Sequence, residues 1–159
     1  MVLGDAMDNQ RGAMGLRRSP FYVLDESDIE LVRSEIRAIG ADERVFVFNR
    51  GRRTSYSDEH DIVNIRGDIF PDEYSTHPRD LMSVRAVLAH GHRPNRGTVL
   101  PEQSWNDEFR ASYLASISVP NLTDEDRRCL VLDAISRARE AGVAIKPNSY
   151  IRRVIYGFD

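Results

Sequence analysis

Two histidines and one glutamate are the residues whose types and spacing are best suited to chemistry. His90 and His92 end an apolar segment that begins at Val84, and Glu108 lies near the start of a second helical segment. Histidines at the end of one buried helix and a carboxylate at the start of the next can ligate zinc, which activates water for hydrolysis. The sequence therefore indicates a candidate zinc site with the ligands His90, His92 and Glu108.

The spacing of the two histidines limits how such a site could form. A zinc-hydrolase helix presents two histidines about one turn apart, with a glutamate beside the first as general base. Since successive side chains on a helix are about 100° apart, those of His90 and His92 would diverge by about 200°. They can share one zinc only if the helix ends at Gly91 and His92 turns back in the loop. No glutamate adjoins His90, so the general base is unassigned. The carboxylates that could substitute are Asp80, Glu102 and Asp107.

The elements that position these residues form an α+β pattern. An acidic N-cap cluster that begins at Asp25 predicts a helix over about 26–39, and Gly40 is its predicted stop. Strand-like runs predict a small, mostly antiparallel sheet of three or four strands, the first two joined as a hairpin by a turn at 49–51. These runs are 45–48, 54–56, 62–65 and a short extension at 68–70. Further helices are expected at 79–90, 106–117, from Thr123 to about Ala141, and after Asn148.

Apolar faces should bury the two helices that carry the candidate ligands. In the helix over 79–90 the predicted core residues are Leu81, Val84, Val87 and Leu88, with Gly91 as the C-terminal stop. In the helix over 106–117 they are Phe109, Tyr113, Leu114 and Ile117. His60 and His77 fall in loop-like segments and are expected to be exposed, although His77 could line the same cleft.

Composition limits the function classes. The chain has 159 residues and a net charge of -3, which argues against a nucleic-acid partner despite the basic turn at Arg50-Gly51-Arg52-Arg53. Because Cys129 is the only cysteine, a disulfide and a cysteine-based zinc site are excluded within one chain. Its side chain is expected to pack on a helix. No apolar run approaches the roughly 18 residues of a membrane span, and no signal peptide is visible. A cytoplasmic protein is therefore expected, with delivery as a toxin domain as the alternative.

The domain boundaries follow from the same composition. Residues 1–19 are rich in glycine and methionine, without periodicity, and are interpreted as a flexible tail or a junction to a lost upstream region. Residues 20–159 are expected to form a single domain.

The segment Glu108-Phe109-Arg110-Ala111-Ser112-Tyr113-Leu114-Ala115 resembles the third-ligand helix of zincin-like metallopeptidases. In the ImmA-type branch that helix has the pattern E-x-x-A-[N/S]-x-[F/L]-A, which this segment matches. The resemblance covers 20–159 in element order and 79–118 in motifs. It implies a zincin-like fold, a zinc cofactor with Glu108 as a ligand, a protein or peptide substrate or partner, and a bacterial origin.

The preceding helix departs from that pattern. The segment is similar to small bacterial proteins with the sequence A-H-E-Y-Y-G-H-R-P, where this chain has Ala89-His90-Gly91-His92-Arg93-Pro94. Three residues are missing, and the glutamate is one of them. The resemblance therefore implies a metallopeptidase scaffold whose catalytic helix is impaired or inactivated.

Three hypotheses remain open from the sequence. The first is an inactive metallopeptidase-like domain that binds a protein partner. The second is an active zinc-dependent peptidase with a rearranged site of His90, His92 and Glu108. The third is a metal-dependent nuclease or other toxin domain that uses the two histidines and the basic turn. His90 and His92 could also be cationic side chains that favour a helix C-terminus, with no metal role.

Overall fold

Three strands and five α-helices make up the part of the chain that the structure, a computed structural model, describes: residues 23–48, 54–57, 60–71, 74, 76–92 and 104–157. The helices are α1 Glu26–Ala38, α2 Val84–His92, α3 Ser104–Ser118, α4 Asp124–Glu140 and α5 Ser149–Tyr156. The strands are β1 Phe46–Phe48, β2 Ser55–Ser57 and β3 Ile62–Ile65. Short 3-10 helices cover Glu43–Val45, Gly67–Ile69 and Pro78–Leu81. The predicted α+β class and the number of helices are confirmed. The expected tail, residues 1–19, lies outside the described residues.

The sheet is mixed and not mostly antiparallel as predicted, and β3 is its central strand. β1 pairs with β3 in parallel and β2 pairs with β3 antiparallel, so the predicted β1–β2 hairpin is wrong. Val63 and Ile65 of β3 are almost fully buried, which explains why this strand takes the central position. Residues 68–70, expected to extend a strand, belong instead to the 3-10 helix and the residue after it. The predicted turn at 49–51 lies outside the described residues.

The predicted N-caps set the starts of three helices. Asp25 and Asp28 form a reciprocal capping box at α1, and Thr123 and Asp126 form another at α4. The Asn148 side chain accepts the backbone N–H of Ile151 at the start of α5. Each cap accepts a backbone N–H that the first turn of its helix leaves without a partner, which favours a helix start at that residue. The sequence signals therefore located these three helix starts correctly.

The predicted helix over 79–90 is two elements. The 3-10 helix Pro78–Leu81 ends before Met82, and α2 then runs from Val84 through His92. Leu81 lies in the 3-10 helix, out of phase with α2, and is 45% exposed rather than in the core. Val84, Val87 and Leu88 are buried as predicted.

Gly91 lies inside α2 and does not end it, so the predicted stop is wrong. Its backbone packs against β3: a Cβ placed there would meet Val63 Cγ1 at 3.4 Å. That distance is ordinary van der Waals contact, so the packing leaves room for a methyl group, and Gly91 is not at a left-handed helix terminus.

Small residues form the buried face of α3. Ala111, Ser112, Ala115 and Ser116 are fully buried, whereas the predicted core residue Ile117 is 54% exposed. The small side chains allow α3 to pack closely, most extensively on α4 and also on α2. The three helices meet along this face, so side chains from each can contact one another.

Within the described ranges, every helix is too short or too polar to traverse a lipid bilayer.

Cys129 is half-buried on α4, as predicted, and burial raises its pKa to about 11. The thiol is therefore protonated at neutral pH and is a weak nucleophile.

Replacement of Gly91 by alanine tests the continuation of α2. In a helix interior alanine is favoured over glycine, and the new methyl group would make an ordinary contact with Val63. We expect Gly91→Ala to raise the free energy of unfolding by about 0.5 kcal/mol in urea denaturation.

Gly142→Ala is the matched control. Gly142 follows α4 with φ of 79°, and a Cβ there would meet no atom within 4 Å, so only backbone strain would act. We expect this variant to lose about 1 kcal/mol. A similar loss for Gly91→Ala would show that α2 ends at Gly91.

Candidate functional site

His90 lies on the buried face of α2 and contacts α3 through both ring nitrogens. Its Nδ1 is 2.7 Å from the Ser112 hydroxyl, and its Nε2 is 3.2 Å from Glu108 Oε2. Glu108 and Ser112 are one helical turn apart and therefore lie on one face of α3. His90 is 3% exposed. The contacts with Ser112 and Glu108 hold its imidazole in one orientation.

Asp133 on α4 is the buried anion behind this histidine. It is fully buried, and it accepts hydrogen bonds from the Ser112 hydroxyl at 2.5 Å and from Nε of Arg79 at 2.9 Å. Nε of Arg137, one turn further along α4, approaches its two oxygens at 3.2 and 3.3 Å. A buried carboxylate needs such partners because it has lost its hydration.

Arg137 closes the arrangement into a ring. Its Nη1 donates to Glu108 Oε2 at 2.7 Å, which returns the hydrogen-bonded path to the carboxylate that contacts His90. We call this closed path the His90 ring; its members are Glu108, His90, Ser112, Asp133 and Arg137. The ring joins α2, α3 and α4 at the place where the small residues of α3 let the helices approach.

Arg79 extends the His90 ring towards the surface. Besides Asp133, its guanidinium contacts Glu140 Oε1 at 3.0 Å, and Nε2 of His77 lies 3.3 Å from the other oxygen of Glu140. His77 Nδ1 accepts the backbone N–H of Arg79 at 3.1 Å. His77, expected in an exposed loop, is therefore a half-exposed cap of the 3-10 helix. His60 is exposed, as predicted.

The pKa of Asp133 reflects this cluster. Burial alone would raise it, but the charges of Arg137, His90 and Arg79, together with the Ser112 hydrogen bond, outweigh burial and lower the pKa. Asp133 is therefore an anion at neutral pH and can only accept hydrogen bonds.

The hydrogen bonds limit what His90 can bind. The one hydroxyl hydrogen of Ser112 goes to Asp133, so the proton between Ser112 and His90 must belong to Nδ1 of the imidazole. The other nitrogen, Nε2, faces a Glu108 oxygen that Arg137 already contacts. A zinc ligand needs a free lone pair directed at the metal, at about 2.0–2.1 Å. An ion at Nε2 would therefore have to displace the Arg137 guanidinium from Glu108, and among the described residues no third ligand converges there.

The structure brings together two of the three residues expected to bind zinc. His90 and Glu108 are in contact, but α2 continues through His92, so the His92 side chain leaves the helix about 200° away from that of His90. The condition that would have joined the histidines, a helix end at Gly91, is not met. Among the described residues, no three histidine, cysteine, aspartate or glutamate side chains are arranged to hold a metal.

Two of the carboxylates that could have acted as the general base lie within the described residues. Asp80 and Asp107, considered as general bases, are both buried. Glu102 and the basic turn at 50–53 lie outside the described residues.

Trp105, at the start of α3, makes an edge contact with Phe109, which stacks on Tyr113.

Sequence reasoning did not single out Asp133, Arg137 or Arg79. A signal for the first two was present: Asp133 and Arg137 are one turn apart on the stripe of α4 that also contains Leu130, Ala134 and Ala138. Charged residues on an otherwise apolar stripe indicate a buried ion pair. Arg79 gave no such signal, because it lies 54 residues from Asp133 in the chain.

Comparisons of this chain with protein-family models, with curated proteins and with solved structures gave no match. The arrangement of the residues is therefore the basis for the function proposed below.

The lowered pKa of Asp133 makes stability sensitive to acid. The ionised form is favoured more in the folded chain than in the unfolded chain. Its contribution is therefore complete above the ordinary pKa of 3.8 and is lost as pH falls through the lower folded value. Thermal unfolding between about pH 2 and pH 6 should show the melting temperature falling at the acid end.

Asp133→Asn tests the assignment of that effect. The amide keeps the shape but leaves Arg79 and Arg137 without their shared anion, so we expect a loss of about 3–5 kcal/mol and a weaker acid dependence. Asp124→Asn, at an exposed position of the same helix, is the control. Equal stability of Asp133→Asn and the unmodified chain would contradict this account of the ring.

Proposed function

We propose that this chain is a zincin-like, metallopeptidase-type domain whose hydrolytic site is inactive and which acts by binding a protein or peptide partner. The supporting observation is the contact between the Arg137 guanidinium and Glu108. The resemblance implies that His90 and Glu108 bind metal, but here Glu108 Oε2 binds a cation of the chain itself at 2.7 Å, beside His90 Nε2 at 3.2 Å. The donors that zinc would need are engaged with protein groups.

The lack of a carboxylate beside His90 in α2 supports the same proposal. Hydrolysis of this type needs a carboxylate that takes a proton from the attacking water. The neighbours of His90 in α2 are Ala89 and Gly91, so no carboxylate accompanies the histidine there. The resemblance places a glutamate at that point of the helix, inside the three residues that this chain lacks.

The His90 ring explains how such a scaffold can keep its shape without a metal. A structural or catalytic ion normally ties its ligand helices together, and its loss leaves buried donors without partners. Here charged hydrogen bonds connect α2, α3 and α4 instead. A stable domain that does no chemistry can be retained for partner binding.

The partner class follows from charge and from the resemblance. A net charge of -3 disfavours a nucleic-acid surface, and the resemblance implies a protein or peptide as the partner. The resembling proteins are bacterial, so a bacterial, cytoplasmic place of action belongs to the same proposal.

Metal analysis and a cleavage assay test the proposal directly. After incubation with excess zinc at neutral pH and desalting, we expect the purified chain to retain much less than one zinc per molecule. We also expect no cleavage of an unfolded protein substrate. Stoichiometric zinc, together with cleavage that Glu108→Gln abolishes, would instead favour the active peptidase with a rearranged site.

Insertion of Glu-Tyr-Tyr after His90 tests whether the missing segment explains the inactivity. The insertion places a carboxylate beside His90 and moves the second histidine from two to five residues beyond His90, which changes its angle from about 200° to about 140° around the helix. We expect it to restore zinc binding in the original chain or in an Arg137→Met background, where Glu108 is released. An Ala-Ala-Ala insertion at the same place is the length-matched control. If the folded Glu-Tyr-Tyr variants bind no zinc, the proposal is wrong.

A further inference from the structure

Arg137 has the geometry of a bound cation inside the His90 ring. Its guanidinium is almost completely buried and contacts two carboxylates through different corners of its plane. Nη1 is 2.7 Å from Glu108 Oε2, and Nε is 3.2 Å from Asp133 Oδ1. A planar group with several fixed N–H donors can make both contacts at once, whereas a lysine ammonium on its flexible stem cannot reproduce that fork.

The charges of the cluster require this cation. Asp133 is a fully buried carboxylate and Glu108 a partly buried one, and the next guanidinium, on Arg79, is shared between Asp133 and Glu140. Without Arg137, Glu108 would lose its 2.7 Å contact with a guanidinium, and Asp133 would lose one of its cations. Removal of one partner from a buried ion pair is costly because the other charge stays buried.

We infer that the position of the Arg137 guanidinium is a cation-binding site for a planar guanidinium group, and that the chain's own side chain fills it in place of a divalent metal. The comparison with a metal rests on the proposed function, whereas the guanidinium site rests only on the contacts of Arg137. The acceptor oxygens of Glu108 and Asp133 approach different nitrogens of the fork. A single ion would need both oxygens to converge at about 2.0–2.2 Å, which this arrangement does not offer.

Chemical rescue of an Arg137→Ala variant tests the inference. The variant vacates the site, and we expect its melting temperature to fall by roughly 6–15 °C. Millimolar guanidinium chloride, far below denaturing concentrations, should then raise the melting temperature saturably, whereas sodium chloride at the same ionic strength should not. The unmodified chain, whose site is filled, should show no such rise.

Two further variants make the result interpretable. Arg139→Ala removes an exposed arginine two residues away on α4 and should change the melting temperature by no more than about 2 °C, without guanidinium rescue. Arg137→Lys keeps the charge without the fork, and we expect it to melt below the unmodified chain even if Arg137→Ala fails to fold. Arg137→Lys with unchanged stability would overturn the inference.

The remaining outcomes separate this inference from the proposed function. If Arg137→Ala is destabilised and neither guanidinium nor zinc restores it, there is no guanidinium site and the inference fails. If zinc alone restores it, the inference also fails, but the metallopeptidase-like scaffold gains support. If the unmodified chain binds zinc while guanidinium still rescues Arg137→Ala, the proposed function fails and the cation site stands.

Discussion

A fully buried carboxylate is the constraint on which the packing of the helices depends. Asp133 has no contact with solvent, and it stays ionised only because donors surround it. Those donors come from different elements: Arg137 from α4 itself, Ser112 from α3 and Arg79 from the 3-10 helix before α2. The requirement to satisfy one anion therefore fixes how three separate segments are placed relative to one another.

The same requirement changes the chemistry of the neighbouring histidine. Ser112 gives its only hydrogen to Asp133, so His90 must donate from Nδ1, and its other nitrogen faces Glu108. In a metal site the histidine would offer a lone pair to the ion and the carboxylate would offer its charge. Here both are directed at protein groups, and the cluster resembles a structural ion-pair network more than a reaction centre. This is why a binding role is a better proposal than hydrolysis.

Local signals predicted the elements, and long-range contacts decided the rest. The caps at Asp25 and Thr123 act within one turn, so the sequence alone located both helix starts. The central position of β3 and the passage of α2 through Gly91 depend on packing against distant residues, which local periodicity does not contain. The contact between His90 and Glu108 could be anticipated from a motif. The spacing of Asp133 and Arg137 on an apolar stripe indicates an ion pair, but their contacts with Ser112 and Glu108 depend on which helices become neighbours.

The closure of the His90 ring has a consequence for the order of folding. Its contacts between helices join residues 18 to 29 positions apart in the chain, and each needs two helices already docked. Contacts that form only after the apolar faces have associated are absent from the transition state, and they slow unfolding without speeding folding. We expect the ring to act in this way on the lifetime of the native state: a chain without it would reach the folded state as quickly but leave it sooner.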